Sequence, residues 1–338
     1  FLSPYPINVA PSQRLKYEQY YSYLKEAGYE ITTQSFVSTS FWRIIYKPNH
    51  VASKIVHTIF AYVKRFLTIV FQVRKYDIIY IHLWIAPFGP PLLEWLTMKL
   101  AKNVVYDIDD LIYLKPKSKI NKRSSVFKSS ANSIFLMKTS DHVITCTPHL
   151  DRFVRCYNRQ TTDISSTINT VAYSQKTDYS FHEKKPVLGW SGSFSTSKYV
   201  YLLTNVFRRL SEEYDFKLLV MGDENFSIEG IEVEAIPWKE AYEVATINRF
   251  DIGLYPLPDE EWVYGKSGLK ALQYMALGIP TVATAIGTNF RIIENEVSGF
   301  LVNNEEEWYN TIKKLLIDQS LREEIGKVAA QRVKDNYS

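Results

Sequence analysis

The residues best suited to chemistry stand between positions 253 and 287. The run Tyr264-Gly-Lys-Ser-Gly-Leu-Lys-Ala-Leu-Gln-Tyr-Met-Ala-Leu-Gly-Ile-Pro280 follows the apolar Gly253-Leu-Tyr-Pro-Leu-Pro258 and precedes Gly287. A strand ends, a loop turns, and a helix starts at Ser267-Gly268, with Ser267 as its expected N-cap. The first turn of a helix offers unpaired N–H groups at a positive dipole end. Lys266 and Lys270 flank that turn, so Lys266, Ser267, Gly268, Leu269 and Lys270 together suit a diphosphate. Gly278 closes the helix and Pro280 enters the next strand. An ordinary capped helix with solvated lysines would use the same residues, so the assignment needs support from elsewhere in the chain.

Several other stretches have the right residue types. Gly189-Trp-Ser-Gly192-Ser193-Phe-Ser195-Thr196 lies between a strand and a helix; its glycines let backbone approach a phosphate and its hydroxyls can donate to one. Lys198 follows as a possible cation for the same group, and Trp238 is large enough to cover a flat ring. Tyr106-Asp107-Ile-Asp109-Asp110 ends a strand, where an ionised Asp109 or Asp110 could take or hold a hydroxyl proton. Asp107-Ile-Asp109 also fits a short metal-binding pattern, but such a pattern carries weight only in its structural context, and no metal is expected. His82 ends another strand. Ser12 and Arg14, in the loop Asn8–Arg14, are placed to meet a phosphate or an acceptor. A polar turn, a helix cap or a structural histidine is the plainer account of each.

The elements that would position these residues alternate strand and helix, the mark of parallel α/β sheets. In the first half, strands are expected at Leu2–Pro6, Tyr29–Val37, Asp77–Trp84, Asn103–Asp107 and His142–Thr147. Helices are expected near Arg14–Ala27, Pro91–Lys102 and Val126–Thr139. The polar, aperiodic stretch Val171–Pro186 reads as a linker. The alternation then restarts, with strands Val187–Ser191, Phe216–Met221, Ile231–Ala235, Asp251–Tyr255 and Pro280–Ala285. Helices near Lys198–Tyr214 and Ser267–Leu277 lie among them, and helices near Glu305–Asp318 and Ser320–Asn336 close the chain. The expected division is 1–171, 172–320, and a C-terminal helix, 321–338, free to pack back on the first domain. Two Rossmann-like units in succession would face each other across a cleft, each holding a ligand outside the carboxyl ends of its strands.

From Val187 to Val302 above all, the chain resembles glycosyltransferase family 4, a group with the GT-B fold. The carriers are the glycine loop at Gly192 and the helix GLKALQYMALGIP, which stands where the family has Glu-x7-Glu followed by Met-Ala-x-Gly-x-Pro and matches the second part. Gly222-Asp223 resembles the family's turn near the nucleotide base. Two positions depart: the glutamates that contact sugar and ribose are replaced by Gly265 and Gln273, and only Gln273 keeps a group able to hydrogen-bond a hydroxyl. Asp109 and Asp110 stand where the family often has a His-Asp pair. The resemblance implies a nucleotide-sugar donor bound by the second domain and a glycan or lipid-linked acceptor bound by the first. It also implies a retaining, metal-independent transfer with no cofactor, in bacterial surface polysaccharide or glycoconjugate synthesis. A GT-B sugar-nucleotide epimerase, or a binding protein that has lost catalysis, would share the motifs.

Composition narrows the setting. The chain has 338 residues, 46% apolar and 22% charged, which fits two folded domains rather than a disordered chain. Cys146 and Cys156 make no disulfide framework, so a reducing, cytoplasmic setting is expected. Phe1–Pro6 reads as the end of a strand rather than a signal peptide. The net charge of +4 is uneven: residues 1–171 hold 22 basic and 11 acidic residues (+11), residues 172–338 hold 18 and 25 (−7). No nucleic-acid partner is implied. The basic half, the apolar but interrupted Val51–Val73 and the run Lys115, Lys117, Lys119, Lys122, Arg123 and Lys128 point instead to peripheral contact with an anionic membrane. Burial of Val51–Val73 in a core is the competing account.

Overall fold

The computed structural model describes residues 1–45, 47, 49–111, 130–181 and 183–338. The basic run from Lys115 to Lys128 lies outside the described residues. Within them the chain divides into two units, Phe1–Ser165 and Ser166–Ser338. Each contains a six-stranded sheet, and every pairing in both is parallel.

In the first unit the strands are β1 (Leu2–Ser3), β2 (Gln34–Ser35), β3 (Ile79–His82), β4 (Val104–Asp107), β5 (His142–Thr145) and β6 (Thr161–Asp163), in the order β2-β1-β3-β4-β5-β6. In the second they are β7 (Val187–Ser191), β8 (Lys217–Met221), β9 (Val233–Ile236), β10 (Ile252–Tyr255), β11 (Thr281–Thr284) and β12 (Phe300–Val302), in the order β12-β11-β10-β7-β8-β9. The order reverses between β1 and β3 in one sheet and between β7 and β10 in the other. At such a reversal the loops diverge and leave a crevice at the carboxyl ends of the strands. The second sheet is buried on both faces by two apolar clusters, which explains the near-continuous apolar runs of β7 and β10.

Across that second reversal, Gly189 of β7 is paired with Gly253 of β10. A Cβ on Gly189 would fall 1.9 Å from the Phe250 ring, and one on Gly253 would fall 2.6 Å from the Tyr274 ring. The paired glycines thus leave the hollow that these rings fill, edge to face at 5.6 Å. Tyr274 belongs to the helix Leu269–Ala276, and its hydroxyl accepts from the Ser191 N–H at 2.8 Å. The hollow therefore sets how closely that helix approaches the sheet.

Some expectations needed correction. Arg14–Ala27 is not one helix: Pro11–Arg14, a 3-10 turn at Glu18–Tyr20 and Tyr21–Glu26 follow one another. The edge strand β6 and strand β12, with the helix Pro148–Arg155, were not anticipated; β6 reads Thr-Thr-Asp, without an apolar run. The stretch taken as a linker is packed: Tyr173 and Tyr179 are buried, and the Lys176 ammonium donates to the Phe250 carbonyl at 3.0 Å. The helix Gln319–Asn336 belongs to the second unit, where Gly326 lies against the Gly278 carbonyl and Arg322 donates to the Tyr179 carbonyl at 3.1 Å.

Gly253→Ala is expected to destabilise the second unit by about 1–3 kcal/mol, the cost of overpacking a filled core. A denaturant midpoint unchanged from wild type would show that the hollow is not needed.

Candidate functional site

At the carboxyl edge of the first sheet, His82 of β3 is the registered neighbour of Asp107 of β4. Both are fully buried, and His82 Nδ1 lies 2.7 Å from Asp107 Oδ2. Lys16 Nζ reaches the other carboxylate oxygen at 2.5 Å. Burial alone would raise the Asp107 pKa, but the Lys16 ammonium and the His82 hydrogen bond bring it down to about 2. Burial likewise opposes the charge of Lys16, and Asp107 restores it, leaving the lysine above its ordinary value. With Asp107 ionised, His82 Nδ1 carries the proton and donates it. Its Nε2 has no hydrogen-bond partner among the described residues and lies 4.0 Å from Asp109 Oδ2.

Asp109 is partly exposed, and burial raises its pKa, which His82 and Lys16 partly offset. The backbone carbonyl of Asp109 accepts from the Cys146 thiol at 3.4 Å, and Asp110 accepts from the Leu111 N–H at 2.9 Å. The loop thus holds two carboxylates at the edge, backed by a buried charge cluster. Full burial removes His82 from contact with any ligand in this structure, so it can act only through Asp107 and Asp109. Sequence reasoning missed Lys16, which had been placed inside a continuous helix. Ser12 and Arg14 lie half-buried in the short helix Pro11–Arg14. Between them Gln13 is buried, bonded to Tyr5 and Glu18, and pins this turn.

In the second unit the donor candidates gather at the carboxyl ends of β7, β8 and β10. The Gly192 N–H donates to the Met221 carbonyl, and the Gly192 carbonyl packs against Gly222. Ser193 is exposed and its hydroxyl meets those of Ser195 and Thr196 at 3.0 and 3.2 Å. Asp223 accepts from the Ser197 hydroxyl at 2.5 Å, fixing the loop that follows β7. Lys198 is exposed, its ammonium 5.0 Å from the Tyr199 ring centre.

Ser267 does not cap the helix. Gly268 stands at the N-cap with φ +74°, no side chain caps the turn, and Leu269 is the first helical residue. A Cβ on Gly268 would fall 2.2 Å from Ile292, so the position admits glycine on two counts. The first-turn N–H groups of Leu269, Lys270 and Ala271 therefore remain for a ligand or water. The Lys266 ammonium lies over the Trp262 ring at 5.6 Å. Lys270 spans the sheet reversal: its ammonium lies over Trp190 of β7 at 5.0 Å and over Tyr255 of β10 at 5.6 Å. No carboxylate pairs with it among the described residues. Burial and the nearby Lys266 push its pKa down to about 8.

Gln273 and Trp238 prove to belong to one network. The Gln273 amide, almost fully buried, donates to the Tyr173 hydroxyl at 2.8 Å. That hydroxyl lies 3.2 Å from Glu243, whose other oxygen accepts from the Trp238 indole at 2.9 Å. Tyr173 and Glu243 had not been singled out; the only sequence signal was an aromatic residue inside a polar stretch. Gly265 is buried and offers no side chain.

Two all-parallel Rossmann-like units, the second with phosphate-suited groups at its sheet reversal, define the GT-B fold class. Residues 185–318 match the family model described as glycosyl transferases group 1. A stretch of 105 residues, 29% of this chain, is 33% identical to a sucrose synthase of Melioribacter roseus, and the match spans 12% of that protein. Among solved structures, a glycosyltransferase from Rickettsia africae superposes with a TM-score of 0.68 at 15% identity, covering 100% of this chain and 93% of that one. Anabaena HepE, solved in complex with UDP-glucose, superposes with a TM-score of 0.61 at 15% identity, covering 90% and 87%. The second unit is thus similar to group 1 glycosyl transferases, while the first is matched through its fold.

Lys266→Ala and Lys270→Ala are each expected to weaken nucleoside diphosphate binding by about 1–3 kcal/mol, the range for charged hydrogen bonds. Free Lys270 loses its charge as pH rises through about 8, whereas a bound diphosphate would hold the proton in place. Wild-type affinity should therefore fall above pH 8, by up to about tenfold per pH unit, and Lys270→Ala should lose that slope. Calorimetry across pH 7–9.5 (roughly one unit below to one and a half above that pKa) checks both effects; a flat wild-type profile would remove Lys270 from the phosphate site.

Proposed function

We propose that this chain is a glycosyltransferase that takes a sugar from a nucleotide diphosphate sugar and passes it to a glycan or lipid-linked acceptor. Transfer proceeds with retention of configuration and without an essential metal. The observation that carries this reading is Lys270, a half-buried ammonium without a carboxylate partner among the described residues, beside a first helical turn with free N–H groups. A diphosphate supplies the missing charge. As the bond between the sugar's anomeric carbon and the diphosphate breaks, negative charge grows on the phosphate oxygens, and cations and N–H groups already in place stabilise it. The match to group 1 glycosyl transferases and the likeness to a protein solved with UDP-glucose support the same donor class.

In this reading the second unit takes the donor and the first takes the acceptor. Asp109, with its carboxyl raised by burial, and Asp110 receive or orient the acceptor hydroxyl. Asp107 is unsuited to a metal because Lys16 and His82 already engage both its oxygens. The setting that fits is the cytoplasmic face of a membrane, in bacterial surface polysaccharide or glycoconjugate synthesis. A second reading, a nucleotide-sugar-binding protein without catalysis, draws on Gly265 and on the burial of Gln273. Incubation with nucleotide sugars and candidate acceptors separates the two, and an epimerase as well: transfer, isomerisation, or binding alone.

Asp109→Asn or Asp110→Asn should lower turnover by about 10²-fold or more, the scale of general acid–base work, with donor binding little changed. Normal turnover in both variants would leave them as turn residues. Activity should also survive EDTA; loss on chelation that manganese or magnesium restores would overturn the metal-independent reading.

A further inference from the structure

The helix Val51–Phe71 in the first unit buries an arginine and a threonine on its inner side and leaves a broad apolar face exposed on the other. Arg65 and Thr68 are buried with Ala61 and Ile69. Arg65 donates to the Ser3 carbonyl at 2.8 Å and sits over the Phe36 ring at 5.8 Å. On the outer side Ile55, Ile59, Phe60, Val63, Phe66 and Leu67 are each 46–65% exposed. At 100° per residue these six share one arc, and the helix's charged residues, Lys54, Lys64 and Arg65, all fall outside it. Contiguous apolar surface of this extent marks an interaction site on a folded protein.

We propose that this arc inserts into the interfacial region of an anionic lipid bilayer, with the helix lying in the membrane plane. The choice of occupant rests on charge. The sequence of the first unit holds 22 basic and 11 acidic residues, a net +11. Lys64 is exposed beside the arc, and Arg74 and Lys75 are exposed just beyond the helix. A second copy docked through the same face would bring like charge to it, whereas anionic headgroups neutralise it. The helix is long and apolar enough to cross a membrane. Its inner face is nevertheless fixed to the unit by Arg65 and Ile69, so it lies on the bilayer rather than through it. The adjacent helix Leu92–Leu100 exposes Leu92 and Trp95, the latter a residue type favoured at membrane interfaces.

This inference deepens the lipid-linked acceptor of the proposed function and rests on that reading only for its purpose. The test is co-sedimentation of the full chain with phosphatidylcholine vesicles containing or lacking phosphatidylglycerol. Wild type should sediment with the anionic vesicles and be released as salt rises. Phe60→Ser/Phe66→Ser should lower the bound fraction at least about tenfold, because partition follows buried apolar area. Nucleoside diphosphate affinity, a property of the second unit, should stay unchanged, and an unchanged thermal unfolding midpoint and far-UV circular dichroism show that the first unit of the variant is folded. Wild type left in the supernatant would overturn the proposal, as would vesicle binding unaffected by the substitutions. A wild-type dimer that the double variant dissolves would assign the face to a second copy instead. Donor binding is measured separately, so the donor reading and the membrane reading fail independently.

Discussion

Asp107 carries a negative charge where no water reaches it, and the first unit is arranged around that charge. A buried carboxylate left alone costs several kcal/mol, so partners must be brought to it. Sheet register supplies His82, because β3 and β4 end side by side. The segment after β1 supplies Lys16, and this requirement accounts for the broken helix there. Lys16 and Tyr17 must both turn inward, the Tyr17 ring packing 5.1 Å from that of His82. Gln13 and Glu18 are buried around them, tied to each other and to the backbone of Tyr5 and Asn8. A straight helix over Arg14–Ala27 would turn Lys16, Tyr17 and Glu18 about 100° apart in succession and could not bury all three together. The loop carrying Asp109 and Asp110 leaves directly from this cluster, so the charge that fixes the fold also fixes the carboxylates at the sheet edge.

The second unit treats its sheet reversal in the opposite way. The glycine pair in β7 and β10 lets the helix Leu269–Ala276 settle close, and Lys270 comes to rest between Trp190 and Tyr255. Aromatic faces attract an ammonium but do not neutralise it. One crevice thus holds its own ion pair, while the other keeps a cation that no carboxylate among the described residues matches. This difference, rather than the shared topology, is what leads the proposed reading to assign the anionic ligand to the second unit.

Most of the strands were legible because buried parallel strands are apolar runs, and Val187–Ser191 and Asp251–Tyr255 could be read directly, whereas the order in which they pair could not. β6 was not, since an edge strand of Thr-Thr-Asp carries no such pattern. The helix carrying Lys270 was legible through spacing, but its cap was misassigned to Ser267: side-chain propensity favoured serine, while the approach of Ile292 and a positive φ at 268 demanded glycine. His82 and Asp107 could be named from strand ends, yet their pairing could not, because register across two strands 25 residues apart is a tertiary fact. Lys16 was lost for the same reason. The exposure of Val51–Phe71 was half legible: the basic residues within the apolar run favoured a surface helix, but could not say that Arg65 would point inward.

Of the two departures from the pattern of the family this chain resembles, the one at Gln273 has a physical account. The Tyr173 hydroxyl has one proton to give, and Glu243 lies within reach of it at 3.2 Å. The Gln273 amide donates to that hydroxyl and leaves its proton for Glu243. A glutamate at 273 would reverse the demand: two carboxylates would compete for a single hydroxyl proton in a buried place, and one would have to be protonated or left unpaired. Glu243 cannot readily turn away, because its other oxygen accepts from Trp238. Gln273, Tyr173, Glu243 and Trp238 are therefore a matched set, and the amide is the residue that this set requires.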